Sequence, residues 1–235
     1  MKSRFFIGSG VVSALLLAVS WTQVTGVWSA MAASAGSQPI QTVPGMPPVP
    51  DPDNLYSEVR SDNFAVGVKE DLQRAYVPNL RGHSVSVIDA QTLKVVDTFK
   101  VGRSPQHVVP SWDLKTLWVA NNDERGQSGS LTPIDPRTGK PGSALSVDDP
   151  YNLYFTPDGK SAIVVAEARK RLDFRDPVSM ALQYEIHAPQ CAGINHGDFS
   201  IDGRYAIFTC EFAGSLVKID MVNRKVMGYL KLSMP

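Results

Sequence analysis

From about residue 62 onward the chain reads as short apolar strings that alternate with polar positions at a period near two, separated by Gly, Pro and Asp. That spacing predicts half-buried β-strands. The last forty residues show it best. Asn195 to Ser200, Tyr205 to Cys210, Ser215 to Ile219 and Lys225 to Leu230 read as four strands, the first two joined by the turn signal Asp202-Gly203. Strings this short with Asp-Gly punctuation argue against helices.

The pattern repeats. Asp71, Asp113, Asp158 and Asp202 lie 42, 45 and 44 residues apart, and a short apolar strand begins five residues after each. These strands are Tyr76-Val77-Pro78-Asn79, Trp118-Val119-Ala120-Asn121, Ile163-Val164-Val165-Ala166 and Ile207-Phe208-Thr209-Cys210. A second acid follows in each unit, Asp89, Asp135, Asp176 and Asp220, at offsets of 18, 22, 18 and 18. The one long offset coincides with a polar insertion, Asn122 to Gly129, that belongs on a loop. Four strands in a unit of 40 to 45 residues predict an all-β protein built as a β-propeller, with about four four-stranded blades near residues 62–104, 105–149, 150–193 and 194–234.

Tyr-Val-Pro-Asn, Trp-Val-Ala-Asn, Ser-Val-Ser-Val-Ile-Asp (Ser84 to Asp89) and the Thr-Pro-Asp-Gly turn (Thr156 to Gly159) resemble the YVTN-repeat β-propeller family of exported bacterial proteins. More distantly, the chain resembles the haem d1 propeller of cytochrome cd1-type proteins. The resemblance implies a seven-bladed ring, of which four units would be an incomplete part closed by further blades; the rival readings are a four-bladed ring and closure by pairing with a second chain. It says little about activity, because the architecture hosts unrelated functions. The third unit departs from the motif, with Ala166 in place of Asn and the charged run Arg169 to Arg175 where a strand is due. An irregular third blade is the expectation.

Ahead of the repeats, Lys2 and Arg4 precede an apolar run from Phe5 to Val19, followed by small residues at Ala30, Ala32, Ala33 and Ala35. This is the layout of a secretory signal over residues 1–35 and predicts a periplasmic or secreted protein. A membrane-anchored protein results only if the segment stays uncleaved. Six prolines between Gln38 and Asp53 predict an extended linker over residues 36–61. With 23 basic and 23 acidic side chains the chain lacks the field that nucleic-acid binding needs, so no nucleic-acid partner is expected.

Candidate chemistry starts with histidine. Six residues before the turn acids stand His107, Asn152 and His196, one place on three successive innermost strands. They would form a polar arc at one level of the central channel. The arc reads either as a ligand-, metal- or haem-facing rim or as positions that tolerate polar residues because water fills the channel. Asp198 follows His196 by two and would share its strand face as an orienting carboxylate. His83 and His187 fall outside this register and read as solvated loop residues.

Cys191 and Cys210 can form one bridge or remain thiols. In a regular hairpin, partner numbers sum to 405, so Cys210 faces Asn195 and Cys191 lies about 13 Å away at ~3.3 Å per residue. A disulfide then needs a bend at Ala192-Gly193, although export favours one. A copper or zinc site from Cys191, His196 and Cys210 is the third alternative. No haem c attachment sequence, His-Glu-x-x-His motif, phosphate loop or dinucleotide fingerprint occurs, and the motifs identify no cofactor. These readings together predict a non-catalytic binding or scaffolding module for a small molecule or protein. The alternatives are a metal- or haem-associated oxidoreductase-type propeller and an envelope surface or adhesion module.

Overall fold

Both aspartates of the second, third and fourth units, and the later one of the first, build turns. The Ser111 hydroxyl donates to Asp113 at 2.7 Å while accepting the Thr116 amide at 3.0 Å. Ser200 does the same with Asp202 and the Tyr205 amide, and Thr156 accepts the Ser161 amide at 3.0 Å. This hydroxyl clamp ties the first strand of a unit to the second. The later aspartates accept two amides each, Asp89 from Gln91 and Thr92, Asp135 from Arg137 and Thr138, Asp176 from Val178 and Ser179, Asp220 from Val222 and Asn223. Such Asx turns close the third strand onto the fourth.

The structure, a computed structural model, describes residues 40–54, 56–123 and 129–233. The signal segment expected at residues 1–35 lies outside the described residues, as does the middle of the polar insertion, 124–128. Four antiparallel meanders follow one another, consistent with a β-propeller-like, all-β fold. The first sheet holds β1 (Arg74–Asn79), β2 (Ser84–Asp89) and β3 (Val95–Lys100). The second holds β4 (Pro105–Pro110), β5 (Leu117–Asn121), β6 (Gly129–Ile134) and β7 (Leu145–Val147). β8 (Pro150–Phe155), β9 (Ala162–Ala166), β10 (Arg171–Arg175) and β11 (Leu182–His187) form the third. The fourth consists of β12 (Ile194–Phe199), β13 (Tyr205–Cys210), β14 (Ser215–Asp220) and β15 (Lys225–Lys231).

One expectation is corrected. The first sheet has three strands, not four, because the segment ahead of β1 forms a 3-10 turn at Val66–Val68 instead of an innermost strand. Lys69 stands where the other units carry Ser or Thr, so the hydroxyl clamp has no hydroxyl, and Asp71 turns to Arg137 instead. The third sheet has a full set of four strands in spite of its charged run, and β10 pairs on both sides with a register shift between Phe174 and Arg175 as its irregularity.

The charged run of β10 is reconciled by alternation. Leu172 and Phe174 point into the core shared with the fourth sheet, packed with Ile163, Val165, Phe208 and Val217. On the opposite face the fully buried Asp173 accepts from Arg171 at 2.6 Å and Arg175 at 3.3 Å, and Arg171 also reaches Asp148. Charges buried this way are tolerated because each is paired. A second core, with Trp118, Leu131, Leu153 and Val164, joins sheets two and three, and a third, around Val85, Val119 and Ile134, joins sheets one and two.

The last residue of each motif strand sits at one structural position. Asn79 donates to Ser84 and Ser86 at 3.2 and 2.9 Å, and buried Asn121 donates to Ser130 and Thr132 at 3.2 and 3.0 Å. The amide cross-links two strands, which is the physical role of the motif asparagine. Ala166 and Cys210 occupy the same place in units three and four. Part of the proline-rich segment differs from the extended linker expected of it. The Val43 amide donates to Asp202 O at 2.9 Å and Lys160 Nζ to Pro44 O at 2.7 Å, so this stretch docks on the hairpin turns of sheets three and four.

Replacing Asp173 by Ala should leave Arg171 and Arg175 facing a buried void and cost about 3–5 kcal/mol, read from urea unfolding. The Thr92 amide holds Asp89, the Arg137 amide Asp135, the Ser179 amide Asp176 and the Asn223 side chain Asp220 below the usual carboxylate range. Depressed carboxylates stabilise the fold above their unfolded pKa of about 3.9, and that contribution is lost as pH falls through the folded values. Urea midpoints should therefore drop steeply below about pH 4. Asp176→Asn should lose less between neutral and acidic pH than the native chain.

Candidate functional site

The innermost strands β4, β8 and β12 share one irregularity. Pairing with the next strand slips between Pro105 and His107, between Pro150 and Asn152, and between Ile194 and Gly197. A bulge re-aims the side chains around it. At this point three rings converge: His107 and Tyr151 with centroids 5.2 Å apart, His107 and His196 at 5.3 Å, Tyr151 and His196 at 5.8 Å. All three contacts are edge-to-face, the arrangement that aromatic quadrupoles favour.

His107, Asn152 and His196 are therefore brought together, as the repeat register implies for one level of neighbouring strands. The Asn152 amide lies 3.4 Å from His196 Nδ1, and the Tyr154 hydroxyl lies at the same distance while accepting the Gly197 amide at 3.2 Å. Gly197 is small for a reason. A Cβ there would lie 2.5 Å from the Phe208 ring, which packs edge-on against Tyr154.

Asp198 is placed differently from its expected role as orienting carboxylate. The bulge interrupts the alternation that would have set it beside His196, and its carboxylate accepts the Phe199 amide. It lines a separate cavity with Trp112, Pro157 and the proline-rich segment. His83 is not a solvated loop residue, since its Nδ1 accepts the Ser104 amide at 3.0 Å and ties the first sheet to the start of β4. His187 is exposed, with Nε2 3.2 Å from Glu185.

Cys191 and Cys210 are joined by a disulfide, Cα atoms 4.8 Å apart. The bulge shifts the hairpin register by one, so Cys210 faces Ile194 rather than Asn195. Gly193, at φ +68°, supplies the bend, and Phe212 packs where its Cβ would stand. Bonded to each other, the two sulfurs offer no thiolate to a metal, which removes the Cys191/His196/Cys210 site. Among the described residues no three His, Cys, Asp or Glu side chains are placed to hold a metal ion.

Beside the rings lies a cavity of about 550 Å³ lined by Tyr151, His196, Thr209, Glu211 and the bridged Cys210. Asn195 donates to Glu211 at 2.8 Å, and the Thr209 hydroxyl is hydrogen-bonded to Asn195. Burial pulls the His107 imidazole below its ordinary pKa, and the charge His196 would carry lowers it further. Burial pushes the phenols of Tyr151 and Tyr154 up. The rim thus presents a neutral imidazole and two neutral phenols. His107 Nε2 is buried and has no hydrogen-bond partner among the described residues.

Sequence reasoning missed Tyr151 and Tyr154. Strict alternation points Tyr151 away from Asn152, and only the slip in β8 brings it to the histidines. Proline at the start of both β4 and β8 was the available signal, since it cannot donate to the ladder and marks edges and bulges.

No protein-family model and no curated protein matches the chain. Among solved structures it is similar to Kuenenia stuttgartiensis hydrazine synthase, with TM-score 0.56 and 24% identity over 69% of this chain and 47% of that one. It is also similar to a functionally unknown protein from Desulfotomaculum acetoxidans, with TM-score 0.54 and 13% identity over 70% of this chain and 55% of the other. The chain spans about half the length of each. At these identities the likeness is one of fold: an all-β protein of repeated antiparallel sheets.

Proposed function

We propose that the chain is an exported β-propeller module that binds a small molecule at the His107/Tyr151/His196 rim without transforming it. The observation that carries this reading is the unpartnered, buried His107 Nε2 within a cluster of three rings. A buried polar atom without a partner costs about 1–3 kcal/mol, and a ligand able to hydrogen-bond it recovers that cost. The adjoining cavity, lined by Tyr151 and His196 with His107 behind them, has the volume of a small-molecule pocket. Export rests on the amino-terminal sequence pattern alone, and an envelope surface role would need that segment retained.

Membership of a larger, seven-bladed ring belongs to the same proposal. It is supported by the outward faces of the end sheets, where Ile207 and Leu230 of the fourth are 48% and 62% exposed. Those faces repeat the apolar pattern that neighbouring sheets cover elsewhere. A second reading, a protein holding a metal or haem, is favoured by the same nitrogen, because His107 and His196 could each offer an imidazole to a metal. It lacks a third protein ligand among the described residues.

Native mass spectrometry of the protein purified from the cell envelope, with absorption spectra and metal analysis, separates these readings. A noncovalent organic adduct that is lost in His107→Ala and His196→Ala is expected. A stoichiometric metal or chromophore would replace binding by cofactor chemistry, and a native protein free of any adduct would overturn both.

The lowered His107 pKa makes a further prediction. Between its folded value and about 6.5 the unfolded chain binds more protons than the folded one, so stability rises with pH across that window. Unfolding free energy should fall as pH drops from 7 toward 5.5, and His107→Asn should flatten the dependence.

A further inference from the structure

We propose that Asn63–Val68 is a latent strand of the first sheet, which docks antiparallel on the free inner edge of β1 with Val66 opposite Val77. This inference is independent of the ligand-binding reading. In the three complete sheets the innermost and second strands pair so that partner numbers sum to one more than twice the turn aspartate: Val109 with Trp118 about Asp113, Tyr154 with Ile163 about Asp158, Asp198 with Ile207 about Asp202. Applied to Asp71, the same rule sets Val68 opposite Ala75 and Val66 opposite Val77.

The segment has the side chains for that place. Val66 corresponds to Val108, Leu153 and Gly197, the last kept small by the Phe208 ring, and Val68 to Pro110, Phe155 and Phe199. In the structure it is undocked and apolar groups face water, with Phe64 66% and Val66 86% exposed. The acceptor is open as well. β1 pairs only with β2 among the described residues, and Val77 is 40% exposed. β4 packs beside β1 as β8 packs beside β5, so the neighbouring wall of the slot is already in position.

What is lacking is the clamp. Lys69 replaces the hydroxyl that holds the other three hairpins closed, which leaves docked and undocked forms close in free energy. Docking would complete the inner layer next to His107, and the residue brought level with His107 would be Ala65, small and without a polar atom on its side chain. The strand would therefore act as a side wall of the ring cluster and not as a fourth contact.

Hydrogen exchange on the full exported chain tests this. Lys69→Ser should restore the clamp and slow exchange of residues 63–68 and of β1 at least tenfold. Val66→Pro, which removes an amide and the extended register, should reverse the effect in the Lys69→Ser background. Unprotected exchange of 63–68 in both native and Lys69→Ser protein would overturn the proposal. Cysteines placed at Val66 and Val77 give a second readout: an intramolecular cross-link is expected, with Val66 and Val95 as the pair that should not form. A cross-link found only between chains, or equally with Val95, would also refute docking in cis.

Discussion

The hydroxyl-aspartate clamp at the first hairpin of the second, third and fourth units is the constraint on which the other features depend. One side chain donates to the carboxylate and accepts the returning strand's amide, so the turn and the pairing register are set together. Register decides which face of each strand is buried, since a slip of one residue exchanges the two faces. Three sheets with this clamp have four strands, and the sheet with lysine in its place has three.

The end of the motif strand shows one position solved in different ways. Asparagine cross-links two strands through its amide in the first two units. In the third it is alanine, and cohesion of that face comes from the arginine-aspartate network across β10. In the fourth the cross-link is covalent, with Cys210 bonded to Cys191. The bridge holds the loop that leads into β12, and Asn195 and His196 follow directly. Strand cohesion and site geometry are thus supplied by the same residue position.

Much of this was legible in the chain because both aspartates leave a fixed mark. Their spacing located the first hairpin of the second, third and fourth units and the last hairpin of all four, and placed His107, Asn152 and His196 at one level. The fate of Arg169 to Arg175 was not legible, because a charged strand is recognised only when its partners, such as Asp148, are known in space. Tyr151 and the Cys191 pairing were hidden for one reason: each depends on a bulge, and a bulge changes facing without changing composition. The likeness to solved structures adds the fold and leaves the chemistry to the residues themselves.

The docked prolines give the molecule a directional character. Val43 and Pro44 are fastened to the turns where the inner strands end, whereas the histidines and Tyr151 stand where those strands begin. The segment around Val43 and Pro44 thus caps the end of sheets three and four that lies away from the ring cluster, and leaves the end bearing the histidines to whatever binds there.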